Sequence, residues 1–154
     1  MKQLIFPAFL VLFTSIGFAQ QKSKPAAPVA TPPKLAASLG KHPGGNVSAE
    51  LLSMIVDSPI VVKDAKGVVY AVKSFTINYT FQSSFLDEET QQTKVFKDFR
   101  SYDFRDTNKL SEIWRESIKD NVKKNDEMLI NNIIVAAKNG KSYVVPSIKF
   151  KVLL

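Results

Sequence analysis

The sequence predicts a mainly β domain, an antiparallel β-sandwich with one helix packed on it. Three observations carry this. Large apolar residues alternate with polar ones through Phe75, Ile77, Tyr79 and Phe81, and again through Ile148, Phe150, Val152 and Leu154, as in strands with one buried face. An Asn139-Gly140 pair separates two apolar runs, a strong local signal for a hairpin. One segment, about residues 108–123, places apolar residues at helical spacing.

The 154 residues suit one domain with flanking segments. The first nineteen read as an export signal. Lys2 supplies a positive start, Leu4 to Ile16 an apolar run, and Gly17 and Ala19 small residues at −3 and −1 of a cut after Ala19. The competing reading is a retained membrane anchor. The run is shorter than the ~20 residues that cross a bilayer, which favours cleavage and leaves no stable membrane span. Residues 20–45 hold five of the eight prolines, Pro25, Pro28, Pro32, Pro33 and Pro43. With Ala, Lys and Gly making up most of the remainder, they read as a disordered linker, either a spacer or a docking arm, with the spacer favoured. The single histidine, His42, falls here and reads as a solvated loop residue. The domain is expected over residues 46–154.

Within the domain, Ser48 is a candidate N-cap for a short helical turn through Leu51 and Leu52, followed by β-prone runs at 53–56 and 60–63. Asp64-Ala65-Lys66-Gly67 is a turn. Val68, Tyr70 and Val72 then alternate in the opposite phase to Phe75, Ile77, Tyr79 and Phe81. The three-residue step from Val72 to Phe75 requires a β-bulge near Lys73-Ser74, or a strand that passes from one sheet to another there. Asp87-Glu88-Glu89 marks a turn and 90–99 a weaker strand, with Phe99, Tyr102 and Phe104 as aromatic anchors.

The helix carries Leu110, Ile113, Trp114, Ser117, Ile118 and Val122 on one stripe, with N-cap choices at Asp106, Thr107 and Asn108. Trp114 reads as a residue that seals helix to sheet, or as a surface binding anchor. Met128–Ala137 is apolar enough to be buried on both faces. Ser142–Leu154 answers it across the Asn-Gly turn, and Pro146 suggests that this last strand lies at an edge or bulges. The residues expected to carry the core are Val72, Phe75, Ile77, Trp114, Ile118, Ile133, Ile148 and Phe150.

Charge and composition narrow the function. The net charge is +7, but five of the 21 basic residues precede position 46 and all 14 acidic ones lie at or beyond Glu50. The domain therefore carries 21 − 5 = 16 basic against 14 acidic residues, a balance of +2. This argues against nucleic acid, which wants a basic folded surface. With no cysteine there are no disulfides, thiol nucleophiles or Cys-ligated metals. No histidine lies in the domain for a catalytic triad, and no Gly-rich phosphate loop is present. The Asp87-Glu88-Glu89 run lacks the spaced ligands of a calcium loop. Asp98, Asp103 and Asp106 could supply a carboxylate pair for acid–base work, but Lys97, Arg100 and Arg105 interleave with them, which favours surface charge pairing. No catalytic, cofactor-binding or metal residue is assigned.

Four segments occur in an order that resembles a known family: Pro43-Gly44-Gly45-Asn46-Val47-Ser48, Tyr70 to Ile77 with its Val72-Lys73-Ser74-Phe75 strand, Asp126 to Ile133 before the Asn-Gly turn, and Ser147 to Val152. Over residues 43–154 they resemble the C-terminal domain of the gliding-motility protein GldM (PorM), the periplasmic shaft of the type IX secretion motor in Bacteroidota. The resemblance implies an immunoglobulin-like module that contacts secretion or gliding components beneath the outer membrane. That family has an uncleaved transmembrane helix, a long helical stretch and several β domains. This chain reads as an export signal and one domain, so the resemblance implies a stand-alone exported domain rather than the shaft.

The expected function is a non-enzymatic periplasmic adaptor that presents a β-edge or apolar patch to an envelope protein. The competing expectation is a secreted enzyme or inhibitor with its site among Asp98, Tyr102, Asp103 and Asp106. A shared pocket would favour the enzyme, and scattered side chains the adaptor.

Overall fold

The computed structural model describes residues 33–153; the export signal, most of the expected linker and Leu154 lie outside them. The domain begins earlier than the proline count suggested. Strand β1 (Leu35–Leu39) pairs antiparallel with β3 (Ile60–Asp64), and β2 (Gly45–Val47) runs parallel to β8 (Ile148–Val152). Residues 35–45 are thus part of the fold and not linker. Leu35 and Leu39 bury their side chains in the core, while the Ala-Ala-Ser between them gives little sequence signal. His42 is tied by backbone hydrogen bonds to Leu39, at 2.9 and 3.0 Å. Gly44, at φ +116°, lets the chain pass so close that a Cβ there would meet the Lys149 carbonyl oxygen at 2.7 Å.

Ser48 caps α1 (Ala49–Ile55), its hydroxyl accepting from the Leu51 N–H at 3.2 Å. The β-prone run at 53–56 is mostly helix. Leu52, Ile55 and Val56 fall on one helical face and are buried, so helical periodicity overrides local β propensity. After α1 come β3, the expected turn at Asp64–Gly67, and β4 (Val69–Asp87). The Asp64 carboxylate organises the turn, accepting from the N–H groups of Lys66 and Val68, both at 2.9 Å.

The long β4 is where the chain passes from one pairing to the next. Val69 and Tyr70 pair with β3, Ala71 onward with β6 (Glu127–Ala136), and Ser74 onward also with β5 (Gln92–Arg105). The register with β6 shifts between Val72 and Ser74 and shifts back before Thr76. The first shift is the bulge expected at Lys73-Ser74. The second lies in β6, where Asn132 has φ 49°; it brings Ile133 and Val135 onto the same face as Met128 and Ile130. Phe75 is buried and Val72 half-buried against the core. Strand β6 alternates in burial, so it is covered on one face only and not on both.

Helix α2 (Glu112–Asn121) is shorter than expected and starts from Ser111, not from Asp106, Thr107 or Asn108. Those residues form a turn in which the Asn108 carbonyl accepts from the Ile60 N–H at 2.6 Å. Leu110 is buried before the helix begins, Ile118 is buried within it, and Ile113 is 79% exposed rather than on the apolar stripe. Two helices, not one, are therefore present among the described residues. Asp57 joins them, pairing with Arg115 at 3.3 Å and Lys119 at 2.6 Å.

The chain closes with β7 (Ser142–Val145) and β8, separated at Pro146. The eight strands form one curled sheet of order β1-β3-β4-β6-β8-β2, with β5 added beside β4 and β7 beside β6. The fold is mainly β, as expected, and one parallel pair, β2–β8, interrupts its antiparallel pattern. Strand β8 lies between β6 and β2, so the strand after Pro146 is not an edge; the proline marks the break after the edge strand β7. Phe75, Ile77, Ile118, Ile133, Ile148 and Phe150 are all in one hydrophobic core, and Trp114 packs half-buried against it.

Candidate functional site

The pairing of β4 defines the feature that stands out. Its contact with β6 ends at Thr80, opposite Glu127. Its pairing with β5 continues to Asp87, opposite Gln92. Residues 81–98 are therefore a two-stranded ribbon that runs on beyond the sheet, and an isolated ribbon of this kind is marginally stable. Its root is fixed by Asp126, a fully buried carboxylate that accepts from the Tyr79 hydroxyl at 2.7 Å, the Lys123 N–H at 2.9 Å and the Gln82 N–H at 3.3 Å. Burial, and then the bond to Asp126, hold the Tyr79 phenol well above its ordinary range. At the tip the Asp87 carboxylate accepts from the N–H groups of Glu89 and Thr90 and pairs closely with Lys94. Lys94 first, then the Thr90 N–H, lower the Asp87 pKa.

Strand β5 is exposed along nearly its whole length, Phe104 being its one buried residue. Among the described residues it has no partner on its second edge. Residues opposed across β4 and β5 share a face. Phe96, Asp98, Arg100, Tyr102 and Phe104 lie on the face toward α2, and Val95, Lys97, Phe99, Ser101, Asp103 and Arg105 on the other. The Arg100 guanidinium donates to the Ser117 hydroxyl at 3.2 Å and sits 5.0 Å above the Phe81 ring. Phe85, Leu86, Val95, Phe99 and Tyr102 are each at least half exposed. These exposed apolar residues, spread over both faces of one free strand and its ribbon, make this the candidate interaction surface.

The carboxylates considered for catalysis do not share a pocket. Asp98 and Asp103 are five positions apart on one strand, so they point to opposite faces. Asp103 accepts from the Thr76 hydroxyl at 2.6 Å in a polar ladder with Asn78, Ser101, Asn131 and Asn132. Asp106 sits in the turn after β5, at φ 53°, its N–H bonded to the Lys73 carbonyl at 2.7 Å. None of the three makes an ion pair among the described residues, so the expected pairing with Lys97, Arg100 and Arg105 is not found. Tyr102 lies against Phe104 and Trp114, with ring centroids at 4.9 and 6.4 Å. Of the three expected anchors only Phe104 is buried; it stacks on Phe75 at 4.8 Å. Asp87, Glu88 and Glu89 form a turn closed by backbone hydrogen bonds, and no cluster of three metal-ligating residues occurs among the described residues.

The residue that sequence reasoning missed is Asp126, whose role depends on Tyr79, 47 positions away. The ribbon itself left a signal: two β-prone runs flanking an acidic turn, both too polar to be buried in a core. No family model matches the chain, and neither does any curated protein.

Proposed function

We propose that this chain is a non-enzymatic periplasmic protein-binding module whose binding surface is the β4–β5 ribbon and the open edge of β5. The observation that carries the proposal is a 14-residue edge strand with exposed Val95, Phe99 and Tyr102 and no second neighbour among the described residues. An unpaired strand offers a row of N–H and C=O groups to an added strand, while alternate side chains set specificity. The chemistry considered for catalysis is dispersed over two faces and a turn, which supports binding over turnover. The export signal read in residues 1–19, and the resemblance to the secretion-motor shaft, support an envelope partner in the type IX secretion or gliding machinery.

The test is crosslinking in living cells followed by mass spectrometry, with the full chain and with a variant in which residues 82–97 are replaced by a two-residue turn. The expected result is an envelope protein recovered with the full chain and lost with the variant. Recovery that persists without the ribbon and disappears on deleting residues 20–32 would move the function to that segment. Turnover of a substrate by the purified protein, abolished in Asp103→Asn, would replace the binding reading with an enzymatic one.

A further inference from the structure

The charge pattern of β5 singles out one pairing partner. A strand that pairs antiparallel with its own copy across a two-fold axis perpendicular to the sheet keeps its two faces in register, so the axis must pass through a residue. With the axis at Phe99, Asp98 faces Arg100 of the second copy and Arg100 faces its Asp98. Phe96 then faces Tyr102, Lys97 faces Ser101, and Phe99 faces itself. The pairing extends from Thr93 opposite Arg105 to Arg105 opposite Thr93, leaving out only Gln92 of the 14 residues of β5.

Neighbouring registers fail on charge or on length. An axis at Lys97, Asp98 or Arg100 sets like charges directly against each other. An axis at Ser101 opposes Lys97 to Arg105, and one at Tyr102 shortens the pairing to Phe99–Arg105. An axis at Phe96 matches Lys94 with Asp98 but shortens the pairing to Gln92–Arg100. Like charges directly opposite destabilise a ladder and opposite charges support it. The cations that guard this edge against indiscriminate pairing therefore become complementary in one arrangement. Asp98 has no ion-pair partner within its own chain among the described residues, and one hydrogen bond from Arg100 to Ser117 leaves most of the guanidinium donors available.

We propose that the open edge of β5 binds the β5 edge of a second copy of this chain, antiparallel, with the two-fold axis at Phe99. This rests on the reading of the ribbon as a binding surface and names the partner that takes its β5 edge. The edge of β4 from Ser83 to Asp87, which has no second neighbour among the described residues, is left for an envelope protein.

The chain has no cysteine, so single cysteines report the register cleanly. Full-length variants are expressed in cells, the envelope is treated with a mild oxidant, and dimers are read on non-reducing gels. Phe99→Cys should crosslink to itself, since paired Cα atoms across an antiparallel ladder are ~4.5–5.5 Å apart, within disulfide range. Lys97→Cys and Ser101→Cys should each stay monomeric when expressed alone, because like positions are then about 13 Å apart, and should crosslink when co-expressed. Asp98→Arg in the Phe99→Cys background should slow crosslinking about tenfold, and adding Arg100→Asp should restore it, which excludes misfolding as the cause.

Self-crosslinking at Lys97→Cys or Ser101→Cys, or no restoration by the double exchange, would overturn the register. No crosslink at any of the three positions would overturn the dimer. In that case, recovery of an envelope protein that still depends on residues 82–97 would leave the binding reading intact, and its loss would remove both.

Discussion

Two halves of one strand behave as different materials. From Val72 to Thr80, β4 has neighbours on both sides for most of its length, and its inward residues Phe75, Ile77 and Tyr79 are nearly inaccessible. From Phe81 to Asp87 it keeps β5 as its one neighbour, and Phe85 and Leu86 stand in solvent. The alternation of the chain fades between them, since Ser83 stands where the pattern of Phe75, Ile77, Tyr79 and Phe81 would place an apolar residue. What changes is the company each half keeps, since β6 stops at Glu127 and Asp126 ties the last buried turn of sheet to the root of the ribbon. Stability is built into the first half and left out of the second, and the proposed binding surface lies on the second.

The largest expected effect breaks the buried half. Phe75→Ala removes a ring that stacks on Phe104 and should destabilise the domain by about 3–5 kcal/mol in denaturant unfolding. Phe85→Ala on the ribbon should change stability by less than about 0.5 kcal/mol while weakening partner recovery. Next is the joint between the halves. Asp126→Ala strips acceptors from Tyr79, Gln82 and Lys123 and should cost about 3 kcal/mol. Hydrogen exchange in this variant should speed at Gln82 and along the ribbon before it speeds at Ile77.

A smaller effect follows from pH. Burial and Asp126 raise the folded-state pKa of Tyr79 above its unfolded value of about 10. Its stabilising contribution is therefore complete below about pH 10 and is lost as pH rises through the folded value. Thermal unfolding of the natural chain should lose stability above pH 10 more steeply than that of Tyr79→Phe. A further small effect lies outside both halves. Asp57→Asn weakens the exposed link between α1 and α2 and should cost no more than about 1 kcal/mol. The Lys119 ammonium, ahead of Arg115, lowers the Asp57 pKa, so this difference should be present above about pH 4 and fade as pH falls below it.

How much of this the sequence carried depended on the range of the interaction. The Val72-to-Phe75 phase step announced a bulge because side-chain direction along a strand is a local matter. The Ser48 cap and the Asn139-Gly140 turn were legible for the same reason. Leu35 and Leu39 were not, because only pairing with β3 and β8's neighbourhood turns a short Ala-rich stretch into a buried strand. The placement of β8 between β6 and β2 was equally hidden, since Pro146 reports on its own backbone and not on which strands flank the next segment. At the site, the expectation of an exposed edge was sound in kind but attached to the last strand. The longest free edge among the described residues is β5, whose mixed polar and aromatic residues read as a weak strand because no core asks more of them.

The most direct test of the difference between the two halves is photocrosslinking from a single position in living cells. A photoreactive residue at Phe99, on the open edge of β5, should capture a protein in a discrete adduct, whether a second copy of this chain or an envelope protein. The same residue at Val144, which is 76% exposed on another edge strand, β7, should not. A discrete adduct from position 144 with none from position 99 would contradict the account.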